Sequence, residues 1–234
     1  TYPEVAKILP NETRQLITPI QPKVKTTNLN SSTVEWGVEQ VGAPQVWDMG
    51  IDGTGIVVAS IDTGVQWNHS ALKEKYRGYN TAEPNQPDHH LNWFDAVEGK
   101  ETPYDDLKHG THTVGTMVGS EPNGSNQIGV APGAKWIAVK AFSDRGGNDV
   151  DLLEAGEWIR CLITLRNSCP HPELAPDVVN NSWGGGPGLD EWYRPMVQNW
   201  RAANIFPVFA AGNNGSAGEG WVSTPANYPE SFAV

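Results

Sequence analysis

Residues 53–65, GTGIVVASIDTGV, contain the segment that decides the predicted fold of this 234-residue chain. Ile56 to Ile61 form a nearly continuous apolar run that is rich in β-branched side chains and has glycines on both flanks. A strand that is buried on both faces has this pattern, whereas a half-exposed strand alternates apolar and polar residues. We therefore predict a buried strand of a parallel sheet, followed directly by Asp62.

Strand and helix signals alternate along the rest of the chain. Three further apolar segments resemble the first, at residues 136–142, 176–182 and 204–212. Apolar side chains recur with helical periodicity over residues 149–166. A second helix is predicted at residues 189–204, where Pro195 must lie in the first turns or cause a kink. The alternation predicts a parallel α/β sheet with helices on both faces, over residues 34–234.

Residues 1–33 have a different character. They contain four prolines and the polar run KVKTTNLNSST, which has neither helical nor strand periodicity. Such composition is typical of a tail or linker. We therefore place the beginning of the sheet domain near residue 34.

The composition excludes some classes of partner. The 16 basic and 27 acidic residues give a net charge of −11, whose field would repel nucleic acids and anionic membranes. No apolar run reaches the roughly 18 residues that a membrane-spanning helix needs. We therefore expect no nucleic-acid partner and no membrane span. Cys161 and Cys169 fit either a local disulfide or two thiols.

Reactive side chains lie where the predicted elements end. Ligands collect beyond the carboxyl ends of parallel strands, and there Asp62 follows the first strand and Asn213 the fourth. His109 opens a predicted helix or directly precedes it. Alone, each has a structural explanation: a turn-capping aspartate, a structural histidine, a turn-forming asparagine. Together they provide a carboxylate that orients an imidazole, an imidazole base and an amide that stabilises an oxyanion. No third ligand has a familiar spacing, so we predict no metal site there.

The chain resembles the subtilisin-like serine peptidases in several motifs that occur in the same order. These motifs are GTGIVVASIDTGV (53–65), HGTHTVGTM (109–117), GVAPGAKWIAVKAF (129–142), VVNNSWGGG (178–186) and PVFAAGNNG (207–215). The resemblance runs over residues 35–234 and implies an endopeptidase that acts by acyl transfer. It implies Asp62 as the triad aspartate, His109 as the triad base, Asn213 as the oxyanion-hole donor and His112 as a structural histidine of the helix.

The resemblance also implies where a protein or peptide substrate binds. Two segments would be the edges between which an extended substrate adds as a strand. The edge residues are Gly146, Gly147 and Asn148 on one side and Ser182, Trp183 and Gly184 on the other. Ala211 and Gly212 would line the pocket for the residue before the scissile bond, and Trp183 is placed to narrow it.

The serine that the family carries in a GTSMA-type motif is not in this sequence. Ser182 belongs to an edge motif and Ser223 precedes TPANYP, so we expect neither to replace it. We expect the serine beyond this chain and the isolated chain to be inactive. The alternatives are a second chain of a nicked enzyme that carries the serine, a truncated enzyme, a non-catalytic partner chain, and a secreted glycan- or peptide-binding module in which Asp62 and His109 are structural.

Residues 4–16, EVAKILPNETRQL, resemble the end of an inhibitory propeptide, which would place the boundary to the mature enzyme between about Gln15 and Glu35. An N-terminal arm on the surface is the alternative. The resemblance further implies a secreted or extracytoplasmic protein whose chemistry needs no cofactor. Structural calcium is common in the family, and the oxygen-rich loop 121–127 suits it, although a polar surface loop explains the composition equally.

Overall fold

The computed structural model describes residues 8–18, 34–161 and 171–234. The strands are β1 (Thr13–Leu16), β2 (Val57–Asp62), β3 (Trp93–Asp95), β4 (Lys135–Lys140), β5 (Gly147–Asn148), β6 (Val178–Asn181), β7 (Trp183–Gly184), β8 (Phe206–Phe209) and β9 (Phe232–Ala233). The α-helices are α1 (Trp36–Gln40), α2 (Ala43–Trp47), α3 (His109–Val118), α4 (Asp149–Cys161) and α5 (Arg194–Ala202).

Six strands form one parallel sheet in the order β3-β4-β2-β6-β8-β9. The strand from the opening sequence, β2, lies inside the sheet between β4 and β6. It pairs with β4 from Val57 opposite Lys135 to Asp62 opposite Lys140. The predicted parallel α/β fold is therefore confirmed.

The side chains of the central strands alternate between two separate hydrophobic clusters. Ala59 and Ile61 of β2 pack with residues of α4 and α5 on one face. Val58 of β2 packs with Val114 and Val118 of α3 on the other face. Because both faces are covered by helices, successive residues are both buried, which explains the nearly continuous apolar run.

The ends of two helices refine the sequence prediction. Helix α4 begins at Asp149 and is described to Cys161, so the rest of the predicted helix lies outside the described residues. Cys161 is disulfide-bonded, and Cys169, the other cysteine of the sequence, also lies outside them. Helix α5 begins at Arg194, five residues after the predicted start at residue 189, because Pro195 fits only the first turn of a helix. Within the described ranges, no helix is long and apolar enough to cross a membrane.

A second, antiparallel sheet joins the N-terminal segment to the domain. β1 lies between β5 and β7, with Arg14 opposite Gly147 and Leu16 opposite Trp183. Residues 13–16 of the predicted tail or linker thus form a strand that pairs with the domain. A four-residue strand whose partners lie far along the chain leaves no local periodicity that sequence reasoning can detect.

Candidate active site

The carboxylate of Asp62 is buried at the carboxyl end of β2, with a relative exposure of 1%. Its Oδ1 accepts hydrogen bonds from the backbone N–H of Thr63 at 2.7 Å and from Nδ1 of His109 at 2.7 Å. Its Oδ2 accepts one from the hydroxyl of Thr113 at 3.3 Å. These donors offset the cost of burying a charge, which otherwise amounts to several kcal/mol.

The start of α3 places His109 against this carboxylate. The carboxylate of Asp105 accepts hydrogen bonds from the backbone N–H groups of Lys108 and Thr111, both at 2.8 Å, and so caps the first turn. At Gly110, a Cβ atom would lie 2.1 Å from the carbonyl oxygen of Gly64. Only glycine at this position therefore allows the helix to approach the turn after β2 closely enough for the Asp62–His109 contact.

Two acceptors face the imidazole of His109. Nδ1 faces Asp62, and Nε2 lies 3.1 Å from the carbonyl oxygen of Ile17. Burial disfavours the charged ring, but the hydrogen bond and charge of Asp62, helped by the Ile17 carbonyl and by Asp105, outweigh it and raise the pKa of His109 above its ordinary value. With Ile17 in place, the protonated imidazole is the form that donates from both ring nitrogens.

Sequence reasoning missed Lys140, a buried cation beside this pair. Lys140 is the last residue of β4 and the register partner of Asp62, with a relative exposure of 1%. Its ammonium group donates hydrogen bonds to the carbonyl oxygens of Thr63 at 2.8 Å and Phe142 at 3.0 Å, and to the carboxylate of Asp106 at 2.7 Å. It thereby fixes the turn that carries Asp62. A lysine inside the apolar segment WIAVKAF was the available signal.

The two predicted edges come together around β1. β5 contains Gly147 and Asn148, β7 contains Trp183 and Gly184, and the flanking Gly146 and Ser182 lie at the same cleft. The backbone N–H of Ile17 donates to the carbonyl oxygen of Ser182 at 3.1 Å. Gly146 has a φ of +91°, and a Cβ atom there would lie 2.6 Å from the carbonyl oxygen of Arg14, so glycine permits the close approach.

Trp183 contributes to this edge through its backbone. Its indole is fully buried and contacts the rings of Phe142, Tyr193 and Phe209 in the hydrophobic core. That its side chain narrows a substrate pocket stays a prediction.

Asn213 contacts the N-terminal segment one residue after the point where the imidazole contacts it. Its side-chain Nδ2 donates to the carbonyl oxygen of Thr18 at 2.6 Å. The preceding Ala211 and Gly212 lie after β8, where the carbonyl oxygen of Ala211 accepts from the N–H of Ser223 at 2.9 Å. A Cβ atom at Gly212 would lie 2.6 Å from the hydroxyl of Ser223. The imidazole and the amide therefore face consecutive carbonyl groups of one extended segment.

His112, which was expected to be a structural histidine of the helix, is exposed in α3. Its side chain therefore adds little packing.

The loop 121–127, which was considered for calcium, is folded by its own polar side chains. Asn123 Oδ1 accepts hydrogen bonds from Ser125, and Glu121 accepts one from Ser70. Within the described ranges, no three His, Cys, Asp or Glu side chains are grouped to hold a metal ion. The loop as folded offers calcium a single carboxylate, and a calcium ion there stays a prediction.

Comparison with known proteins agrees with these motifs. The model of the subtilase family, Peptidase_S8, matches residues 53–234. The chain is 63% identical over 240 aligned residues to bacillopeptidase F of Bacillus subtilis (strain 168), an alignment that covers 100% of this chain and 17% of that protein. It is 31% identical to the extracellular basic protease of Dichelobacter nodosus over 80% of this chain and 34% of that protein.

A third relative is subtilisin E of Bacillus subtilis (strain 168), which is 30% identical over 87% of this chain and 46% of that protein. The chain thus spans less than half of the length of each of these three relatives. The family match covers most of the chain and contains Asp62, His109 and Asn213. The chain therefore belongs to the subtilase family of serine peptidases.

Proposed function

We propose that the protein containing this chain is an endopeptidase that hydrolyses peptide bonds by acyl transfer, with Asp62, His109 and Asn213 in its active site. One observation carries the proposal. The carbonyl oxygens of Ile17 and Thr18 lie 3.1 Å from Nε2 of His109 and 2.6 Å from Nδ2 of Asn213. The proposed base and the proposed oxyanion donor thus contact adjacent carbonyl groups of one peptide segment, which supports a site that acts on peptide bonds.

Each side chain has a separate role in the proposed reaction. Nε2 of His109 accepts the proton of the serine hydroxyl as the serine oxygen attacks the carbonyl carbon. As the Ile17 carbonyl is attacked, its oxygen accepts a hydrogen bond from the exposed amide of Asn213, which must turn to it from the adjacent carbonyl of Thr18. The carbon–nitrogen bond then breaks, and the leaving amine takes the proton from Nε2. Water, giving a proton to the same nitrogen, next attacks the acyl carbon, and the serine oxygen leaves with that proton. Asp62 accepts from Nδ1, so it fixes the tautomer that leaves Nε2 free to act as the base.

The nucleophilic serine is proposed to lie beyond this chain. The near-complete set of family motifs favours an active enzyme over a non-catalytic relative, and a second polypeptide that carries the serine is the alternative arrangement.

We also propose an extracytoplasmic location. The disulfide at Cys161 supports it, because disulfides persist in oxidising compartments, as does the relative named extracellular basic protease.

The N-terminal segment up to Ile17 is proposed to be the end of an inhibitory propeptide, whose strand β1 occupies the substrate cleft. The bond proposed for cleavage is Ile17–Thr18. Ile17 is the residue whose N–H bonds to the edge at Ser182 and whose carbonyl faces the imidazole. The next bond, Thr18–Pro19, has a tertiary amide nitrogen, so its leaving group is a bulkier secondary amine with a fixed ring.

Fluorophosphonate labelling of the longer protein tests this function. We expect one labelled serine, on a polypeptide that co-purifies with or continues this chain, and a new N-terminus at Thr18 when the peptides are sequenced. Labelling must disappear after prior treatment with a serine peptidase inhibitor. An assembled protein that contains this chain but neither reacts with the probe nor hydrolyses casein would refute the proposal.

Replacing Asn213 by alanine should lower kcat by roughly 10²–10³-fold, the loss measured when one oxyanion donor is removed from a subtilisin. Asn213 is exposed, so its replacement should leave the unfolding midpoint nearly unchanged. KM should also change little, because the hydrogen bond strengthens only as negative charge develops on the oxygen. Steady-state kinetics on one peptide substrate measure this. Replacement of the adjacent, exposed Asn214 is the matched control, and a kcat unchanged in the Asn213 variant would exclude it as the oxyanion donor.

A further inference from the structure

Arg14 is the most deeply buried side chain of the segment that lies in the cleft. Its guanidinium Nε lies 2.6 Å and its Nη2 3.3 Å from the two carboxylate oxygens of Asp149. Its Nη2 also donates to Asp190 at 3.2 Å. The guanidinium carbon lies 5.5 Å from the centre of the Tyr193 ring. The planar guanidinium group therefore fills a recess in which Asp149 pairs with two of its nitrogens, Asp190 contacts Nη2, and the ring of Tyr193 lies against its plane.

Asp149 depends on the N-terminal segment for most of its hydrogen bonds. In the described part of the chain, four donors reach this carboxylate: two from Arg14, the backbone N–H of Glu12 at 3.0 Å, and the hydroxyl of Tyr193. Its side chain is only 1% exposed. Burial raises the pKa of Asp149, but the bonds from Arg14 and Tyr193 outweigh burial and lower it. If the bound peptide had no cation at this position, the buried carboxylate of Asp149 would keep only one side-chain donor, the hydroxyl of Tyr193. Such an incompletely paired buried charge is costly.

The fixed parts of the recess belong to the domain rather than to β1. Asp149 begins α4 directly after the edge strand β5, and its charge is also favoured by the helix N-terminus. Tyr193 packs edge-to-face on Trp183 of the other edge strand, at 5.2 Å between ring centres. Asp190 is 44% exposed and lies at the mouth of the recess. The recess therefore remains part of the cleft whichever peptide lies between the edges.

We infer that Asp149, Asp190 and Tyr193 form an arginine-selective subsite for the substrate side chain three residues before the one that donates the scissile carbonyl. This inference rests on the proposed peptidase function and on cleavage after Ile17, which puts Arg14 at that position. Arginine is favoured over lysine because two of its nitrogens match both oxygens of Asp149 while its plane lies over Tyr193. Neutral side chains leave Asp149 unpaired.

Internally quenched peptides based on residues 11–18, NETRQLIT, test the selectivity in the mature enzyme. We expect kcat/KM for arginine at the position of Arg14 to exceed that for glutamine by at least about 30-fold, since an unpaired buried charge costs roughly 2 kcal/mol or more. Lysine should fall between them. Asp149→Asn should reduce the ratio of arginine to glutamine below about 3-fold, and Asp190→Asn, at the half-exposed mouth, should reduce it partly without endangering the fold.

The matched control is Glu157→Gln, which removes one negative charge from an exposed position on the same helix and should leave the ratio unchanged. Equal kcat/KM for arginine, lysine and glutamine in the unmodified enzyme would overturn the inference while the peptidase function stood. A ratio that Asp149→Asn and Asp190→Asn both leave intact would overturn the assignment of these residues.

A second measurement does not depend on turnover. In the His109→Ala form of the longer protein, which should retain the N-terminal segment, we expect Arg14→Gln and Arg14→Lys each to increase amide hydrogen exchange at residues 12–17 and 147–149 by at least tenfold. Gln15→Ala, which truncates an exposed side chain of the same strand, is the control. Unchanged exchange in both Arg14 variants would refute the subsite. Faster exchange in these variants, together with no peptide hydrolysis by the enzyme with His109 intact, would leave the recess as a binding site for the N-terminal segment and would refute both the peptidase function and the substrate subsite.

Discussion

His109→Ala should lower kcat of the longer enzyme by about 10⁶-fold, the size of the effect of removing the corresponding base from subtilisin. Alanine cannot accept the serine proton at the moment of attack, and it leaves the leaving amine without a proton donor. The measurement is steady-state or single-turnover hydrolysis of one peptide at fixed pH. Turnover retained within tenfold would rule out His109 as the base.

The control for this variant is His112→Ala, one turn along the same helix and exposed, which should keep activity within about threefold. Folding needs a check at a chosen pH. Because the pKa of His109 is raised in the folded chain, its pairing stabilises the fold fully below the ordinary histidine pKa. That contribution is lost as pH rises through the raised value. Denaturation midpoints should therefore be compared at alkaline pH, where the variant and the parent differ least.

Asp62→Asn should lower kcat by about 10⁴-fold while the site keeps its geometry. The amide can donate to Nδ1 of His109, which would place the ring proton on Nε2 and remove the lone pair that must accept the serine proton. Kinetics on the same peptide measure the loss, with the exposed Asp48→Asn as the control for removal of one charge. Full activity of the Asp62 variant would show that the carboxylate does not orient the imidazole.

The residual activity of Asp62→Asn should also change its pH dependence. In the parent, activity rises as His109 loses its proton, at a pH above the ordinary histidine pKa of about 6.5, because Asp62 raises the pKa of His109. When asparagine replaces Asp62, the main group that raises the pKa of His109 is lost. Burial of the ring then lowers this pKa. The rise in activity should therefore move to lower pH, and a shift to higher pH would contradict the electrostatic role given to Asp62.

The sheet was predictable because its central strands are buried on both faces. In β2, Val58 and Ala59 face opposite clusters, so burial on both faces makes the sequence nearly all apolar, with Ser60 as the exception before Asp62. Asp62 and Asn213 were candidates because they follow such strands, and His109 because it opens a helix, but their roles were implied only by the family resemblance. The short strands β3, β5, β7 and β9 have two or three residues each, too few to show a period.

The recess around Arg14 was not predictable for a different reason. Asp149 and Asp190 lie 41 positions apart in the sequence, and each resembles an ordinary polar residue near the start of a helix. Arg14 lies in a polar tail. Only the pairing of β1 with β5 and β7 brings the three together. Local pattern carries no information on contacts between residues separated by more than a hundred positions. An arginine within an otherwise neutral segment, TRQLITP, was the weak signal present.

The covalent connection between β1 and the rest of the chain determines how often β1 occupies the cleft. As long as residues 13–16 share a polypeptide with the edges that they pair with, their return to the cleft is unimolecular, with an effective concentration of the order of millimolar. A cut at Ile17–Thr18 turns the same strand into a separate peptide, whose occupancy then depends on its bulk concentration. Dilution alone would therefore open the cleft after cleavage, with no change in any contact that β1 makes.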